Sequence, residues 1–117
     1  MRSPILRLRD ILQAIQAIER YLPSSEERFQ QYPLVQVWCV YHLQIIGEAA
    51  RHLPEDLRKR APEIPWQDLV GMRNILVHGY FSLDPHLIWT TVTRDLPVLK
   101  TAVRRLLSLM ESTENPY

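Results

Sequence analysis

The residues best suited to chemistry in this chain of 117 residues stand in one stretch, Gly71-Met72-Arg73-Asn74-Ile75-Leu76-Val77-His78-Gly79-Tyr80-Phe81. An arginine is followed five residues later by a histidine, and two residues on by a tyrosine. The guanidinium of Arg73 is a flat, permanently charged fork suited to phosphate or carboxylate oxygens. The imidazole of His78 can give or take a proton near neutral pH, because its ordinary pKa is about 6.5. Helical residues advance by about 100°, so Asn74 and His78 fall one turn apart on one stripe, and Arg73 lies roughly 140° round from His78 yet is long enough to reach the same place. Ile75, Leu76 and Val77 point elsewhere and would seat this helix on a core. Polar groups converging from an apolar platform suit a site better than a solvated face.

The elements that must position them are punctuated by proline. Ser3-Pro4 is a cap with proline in the first helical turn, and Ile5, Leu8, Ile11, Leu12, Ile15, Ile18 and Leu22 recur at helical spacing, which predicts a first helix ending near Pro23. Ser24 with Glu27 offers a capping box for a short second helix up to about Tyr32. Pro33 opens a long helix in which Leu34, Val37, Trp38, Tyr41, Ile45, Ala49 and Leu53 trace one stripe that Val40, Leu43 and Ile46 widen. A stripe that wide predicts burial on more than one side, either as a central helix or as one shared with a second subunit. Gly47 within it costs about 1 kcal/mol relative to alanine and marks the close approach of another helix. Glu48 beside it is a candidate partner for Arg73.

Pro54 to Arg60 reads as a short helix with acids in its first turn and bases in its last, as the helix dipole prefers. Arg58, Lys59 and Arg60 form the densest positive cluster, either a solvated helix end or a phosphate-contacting patch. Pro65 starts the motif helix, and Gly79 is placed to end it in a left-handed cap, putting His78 where the dipole favours the imidazolium. Asp84-Pro85 starts a last long helix through Ile88, Val92, Leu96, Leu99, Val103, Leu106 and Met110, with Pro97 predicted to kink it near Thr93 to Leu96. Residues from about 111 are polar and expected to fray. With no strand alternation anywhere, the expected fold is a single all-α domain over residues 1–117, an up-and-down helical bundle.

Composition bounds the function. Fourteen basic residues stand against 13 acidic ones for a net charge of +1, too balanced to grip nucleic acid by bulk electrostatics, so any RNA contact must be local. The lone Cys39 lies in an apolar helical run, as expected of a buried, reduced thiol in the cytoplasm. No apolar run is long enough to span a bilayer, and the N-terminus lacks a signal-peptide core, so neither membrane insertion nor secretion is expected. His42, His52 and His86 lack ligand spacing, so no metal site is expected.

The R-x4-H-x-Y pattern followed by phenylalanine resembles the signature of the HEPN superfamily, and within it the HepT toxins of toxin–antitoxin pairs. Ile45-Ile46-Gly47-Glu48-Ala49-Ala50, Pro62-Glu63-Ile64-Pro65-Trp66, and Trp89 through Asp95-Leu96-Pro97 extend the resemblance over nearly the whole chain. It implies a HEPN-type bundle acting as a two-fold homodimer and a metal-independent endoribonuclease without cofactors. It further implies a type VII toxin–antitoxin system whose partner, an MntA-like nucleotidyltransferase antitoxin, adenylylates Tyr80. One segment departs from relatives that are acidic there: Phe29-Gln30-Gln31-Tyr32-Pro33-Leu34-Val35-Gln36-Val37 has no acid, so contacts made by those acids do not carry over.

Metal-free cleavage of RNA needs a base near the 2′-hydroxyl, an acid near the leaving 5′-oxygen and a cation on the phosphorane between them. One chain supplies a single histidine in the motif, and a dimer with two Arg73 and two His78 around one cleft would complete the set. Asn74 would fix the imidazole or donate to a phosphate oxygen. An AMP group on Tyr80 would set a negative phosphate against Arg73 and mask the cleft. Two other classes fit the same residues: a non-catalytic HEPN module that binds a nucleotide or RNA end, and a structural dimer that docks a nucleotidyltransferase.

Overall fold

The computed structural model describes the backbone of residues 3–79 and 84–114 and the side chains of residues 3–72 and 84–112. Among the described residues every regular element is helical, in the order α1 (Pro4–Tyr21), α2 (Glu26–Gln30), α3 (Pro33–Arg51), α4 (Glu55–Arg58), α5 (Trp66–Gly79), α6 (Pro85–Thr90), a π-helical turn (Thr91–Asp95) and α7 (Leu96–Glu114). The expected all-α bundle is the fold observed.

Local chemistry sets the helix starts. The Ser3 hydroxyl accepts from the Leu6 amide at 3.3 Å, and the Asp84 carboxylate accepts from the His86 amide at 2.9 Å, each taking up a donor with no helical partner. The cap of α2 is Ser25, whose hydroxyl accepts from the Arg28 amide at 3.2 Å. This corrects the capping box expected from Ser24 and Glu27: with helix starting at Glu26, Glu27 falls too early to reach back. Pro54 precedes α4 without any side-chain cap.

The core is built by α1, α3 and α7. Leu8, Ile11, Ile15 and Ile18 of α1 meet Cys39, Leu43, Ile46 and Ala50 of α3 and Leu99, Val103 and Leu106 of α7, all essentially solvent-free. Each leucine, isoleucine or valine among them contributes about 1.5–3 kcal/mol relative to exposure. Helix α1 runs antiparallel to α7, since Arg9 pairs with Glu111 at one end and Lys100 with Glu19 at the other. It is also tied to α3 by the Trp38 indole, which donates to the Ala17 carbonyl at 2.8 Å. Those two ion pairs are partly exposed and add little, so apolar burial holds these helices together.

The stripe expected to be the buried face of α3 divides along its length: Ala49 and Leu53 are buried, Trp38 and Ile45 are half-buried, and three members nearer the N-terminal end stand outside. Leu34 is 85% exposed, Val37 56% and Tyr41 58%, while the widening positions Val40, Leu43 and Ile46 face the core. One chain therefore buries α3 on the side toward α1 and α5 and leaves an apolar ridge outside. Gly47 is buried on the core side.

Helices α6 and α7 and the turn between them continue one another. Pro97 cannot donate to the Thr93 carbonyl and its ring would collide with it, so the helix widens just before it, and the Leu96 amide reaches back five residues to the Thr91 carbonyl. The hydroxyls of Thr91 and Thr93 bond the carbonyls of Leu87 and Trp89 at 2.9 and 2.7 Å, a back-bonding that favours bending. The disruption falls where the sequence predicts a kink, as a π turn.

His42 carries a pH dependence. Its ring packs edge-on against Trp38 and Tyr41, with both nitrogens shielded from solvent and without a hydrogen-bond partner, and burial holds its pKa below 6.5. The unfolded chain then takes up this proton first. The stability from a neutral His42 is complete above about pH 6.5 and is lost as pH falls through the lowered folded pKa. We expect His42→Gln to unfold with a smaller loss of Tm between pH 7.5 and 5 than wild type; parallel profiles would rule this out.

Candidate functional site

Residues 73–79 form the second half of α5, which packs along α3. Its start is fixed by Pro65, whose carbonyl accepts from the Asp68 and Leu69 amides at 3.0 and 3.1 Å. Trp66 then anchors the helix: its buried indole nitrogen donates to the carbonyls of Arg58 and Ala61, both at 3.1 Å. The turn after α4 is thereby clamped to the first turn of α5, so the Arg58 cluster and the motif helix share one rigid base. Sequence reasoning named Trp66 as apolar and missed this clamp, because an indole donor gives no hint of its acceptors in the chain pattern.

Helix α5 carries residues 73, 74 and 78 on one uninterrupted backbone, with 74 and 78 one turn apart. The side chains of Arg73, Asn74 and His78 lie outside the described residues, and Tyr80 does so entirely. Gly79 is the last helical residue, where the sequence places the end of this helix, and the cap that would follow it lies outside the described residues.

Glu48 has local company that the sequence reading did not assign. One of its oxygens accepts from Arg51 Nη2 at 3.2 Å and lies 2.9 Å from His52 Nε2. Spacings of three and four residues on a helix signal such pairs, and Glu48, Arg51 and His52 have them. Glu48 also lines a groove of about 270 Å³ between α1 and α3, together with Arg7, Asp10, Tyr41 and Ile45.

The remaining candidates separate by surroundings. His86 Nδ1 stands 2.9 Å from Glu26 of α2, far in sequence from His42 and His52, and no group of three potential metal ligands occurs among the described residues. Cys39 is a free, buried thiol whose pKa burial pushes up to about 12, which makes it a core residue and a poor nucleophile. Arg105 bonds Glu63 at 2.6 Å and holds its carboxyl below the usual range, tying α7 to the loop before α5. No helix among the described residues is long and apolar enough to cross a membrane.

A helical bundle whose motif helix bears an R-x4-H pattern near its C-terminal end is the arrangement expected of the HEPN class. The HepT-like model, described as ribonuclease HepT-like, matches residues 11–106, from the first core helix to the last. A protein of Caldanaerobacter subterraneus subsp. tengcongensis, provisionally named an RNase, is 36% identical over 108 residues, which is 92% of this chain and 96% of that one. A protein of Thermococcus cleftensis named as a probable ribonuclease HepT is 37% identical over 102 residues, 85% and 91% of the two chains. A protein of Methanocaldococcus jannaschii, also provisionally named an RNase, is 35% identical over 97 residues, 82% and 89% of the two. No solved structure matches. The chain belongs to the HepT-like ribonuclease family.

Proposed function

We propose that this protein is the toxin of a type VII toxin–antitoxin system and acts as a cytoplasmic endoribonuclease that cuts RNA without a metal. The observation that carries the reading is the family match over residues 11–106, a span that includes the R-x4-H-x-Y motif. One His78 takes the proton of a 2′-hydroxyl, the freed oxygen attacks the adjacent phosphorus, and the 5′-oxygen leaves with a proton from the second His78 of a two-fold dimer. The products are a 2′,3′-cyclic phosphate and a 5′-hydroxyl. Arg73 of each chain neutralises charge on the phosphorane, and Asn74 orients the imidazole. The exposed ridge of Leu34, Val37 and Tyr41 supports a dimer, since a ridge of large apolar side chains at helical spacing suits a second copy.

Regulation belongs to the same reading. A nucleotidyltransferase antitoxin transfers AMP from ATP to the Tyr80 hydroxyl with release of pyrophosphate, and the added phosphate lies against Arg73 and closes the cleft. The test is cleavage of a cellular RNA pool by the purified protein in EDTA. New ends bearing 2′,3′-cyclic phosphates are expected. Intact RNA from a protein whose Tyr80 is unmodified by mass spectrometry would remove the reading.

A further inference from the structure

A cavity of about 560 Å³ lies at the opposite end of α5 from the motif's histidine. Its lining comes from two sides. Glu55, Arg58 and Lys59 of α4 and the turn after it form one wall, and Gln67 and Asp68 of the first turn of α5 form the other. Pro62, Ile64, Pro65 and Trp66 make an apolar floor between them.

Arg58 is the unusual member. It is half-buried, its Nε is shielded from solvent and has no hydrogen-bond partner, and no acid pairs with it among the described residues. Two carboxylates line the same cavity. Lys59 stands 3.8 Å from Glu55, a loose exposed pair. A guanidinium with no acid partner beside an apolar floor fits a ligand that brings its own anion and a flat apolar surface. Its backbone is held in place, because the Arg58 carbonyl takes the Trp66 indole bond. The cavity thus has a fixed position relative to the motif helix. At 1.5 Å per residue, Trp66 lies about 10 Å along α5 from Arg73 and about 18 Å from His78, the span of a short run of single-stranded nucleotides.

We infer that this cavity is a subsite for a nucleotide of the RNA strand flanking the cleaved bond. Its phosphate lies on Arg58, its base on the apolar floor, and Gln67 and Asp68 offer a donor and acceptors to the base edge. The inference rests on the ribonuclease reading above. It also accounts for a protein of net charge +1 holding RNA, since one well-placed arginine replaces a diffuse positive surface.

The experiment uses the full-length protein and two versions of one RNA decamer: an unmodified substrate and a fully 2′-O-methylated, uncleavable one for binding. Arg58→Ala is expected to weaken binding of the uncleavable decamer roughly tenfold, the scale of one lost charge-assisted bond, and to flatten its salt dependence. On the cleavable decamer it should raise KM by a similar factor and leave kcat unchanged, since Arg58 stands away from the reacting atoms. Arg58→Lys, which keeps the charge and loses the fork, should fall between. Gln67→Ala should alter the base preference at one position flanking the cut and nowhere else. Equal decamer affinity for wild type and Arg58→Ala, both folded by circular dichroism, would overturn the subsite. A wild type that binds the decamer through Arg58 and leaves the cleavable one intact would overturn the nuclease reading and retain the subsite as an RNA-binding one.

Discussion

Replacing His78 by alanine is expected to lower RNA cleavage by about 10²–10⁴-fold, the range lost with a positioned general acid or base. In a two-fold dimer one substitution removes both imidazoles, so the larger end of that range is expected. Arg73→Ala should cost on the order of 10²–10³-fold, because under the proposed mechanism it strips the charge that meets the phosphorane. Residual binding separates chemistry from docking. The uncleavable decamer should bind His78→Ala with near wild-type affinity and Arg73→Ala more weakly, since in the proposed mechanism Arg73 contacts the phosphate before and during reaction. Thermal unfolding of both variants should match wild type, because apolar positions of α5, such as Trp66 and Leu69, supply its packing. Cleavage by His78→Ala at the wild-type rate would eliminate the acid–base role.

Phe29→Ala is expected to cost about 3–5 kcal/mol, the range for emptying a buried aromatic site. Helix α2 has five residues, too few to be stable alone, and Phe29 is its one buried residue. The ring is solvent-free and packs 5.3 Å from Trp89 at a tilt of 45°, an arrangement aromatic rings favour. The Phe29 carbonyl also accepts from the Gln36 side chain at 2.9 Å, so this short helix joins α3 to α6. Against a typical domain stability of 5–15 kcal/mol such a loss is severe. Urea denaturation would show it as a lower midpoint, and Phe29→Leu should recover much of the loss by refilling the volume. An unchanged midpoint for Phe29→Ala would mean that α2 is not needed for the core.

Proline and capping residues made most helix boundaries legible, because their effects are local. Pro4, Pro33 and Pro85 each stand in the first turn of a helix, as their fixed φ dictates, and Pro97 marks the widened turn before it. The choice of Ser25 over Ser24 was not legible, since two adjacent serines differ only in how the chain enters the helix. The faces of α3 were harder still. Its apolar residues cover most of its circumference, so period alone names candidates for burial and cannot say which neighbour covers which side.

The site divides in the same way. The sequence by itself determined that a motif of Arg73, Asn74, His78 and Tyr80 follows a core-forming helix start, because residue types and spacing within one helix are properties of the chain. It also held the local spacing that joins Glu48 to Arg51 and His52. Only the tertiary structure decided that Leu34, Val37 and Tyr41 stand outside the single-chain core, and that Arg58 is clamped through Trp66 to the motif helix over a shared cavity. The physical reason is that burial and cavity shape depend on how whole helices pack against one another, and residues distant in sequence become neighbours only through that packing.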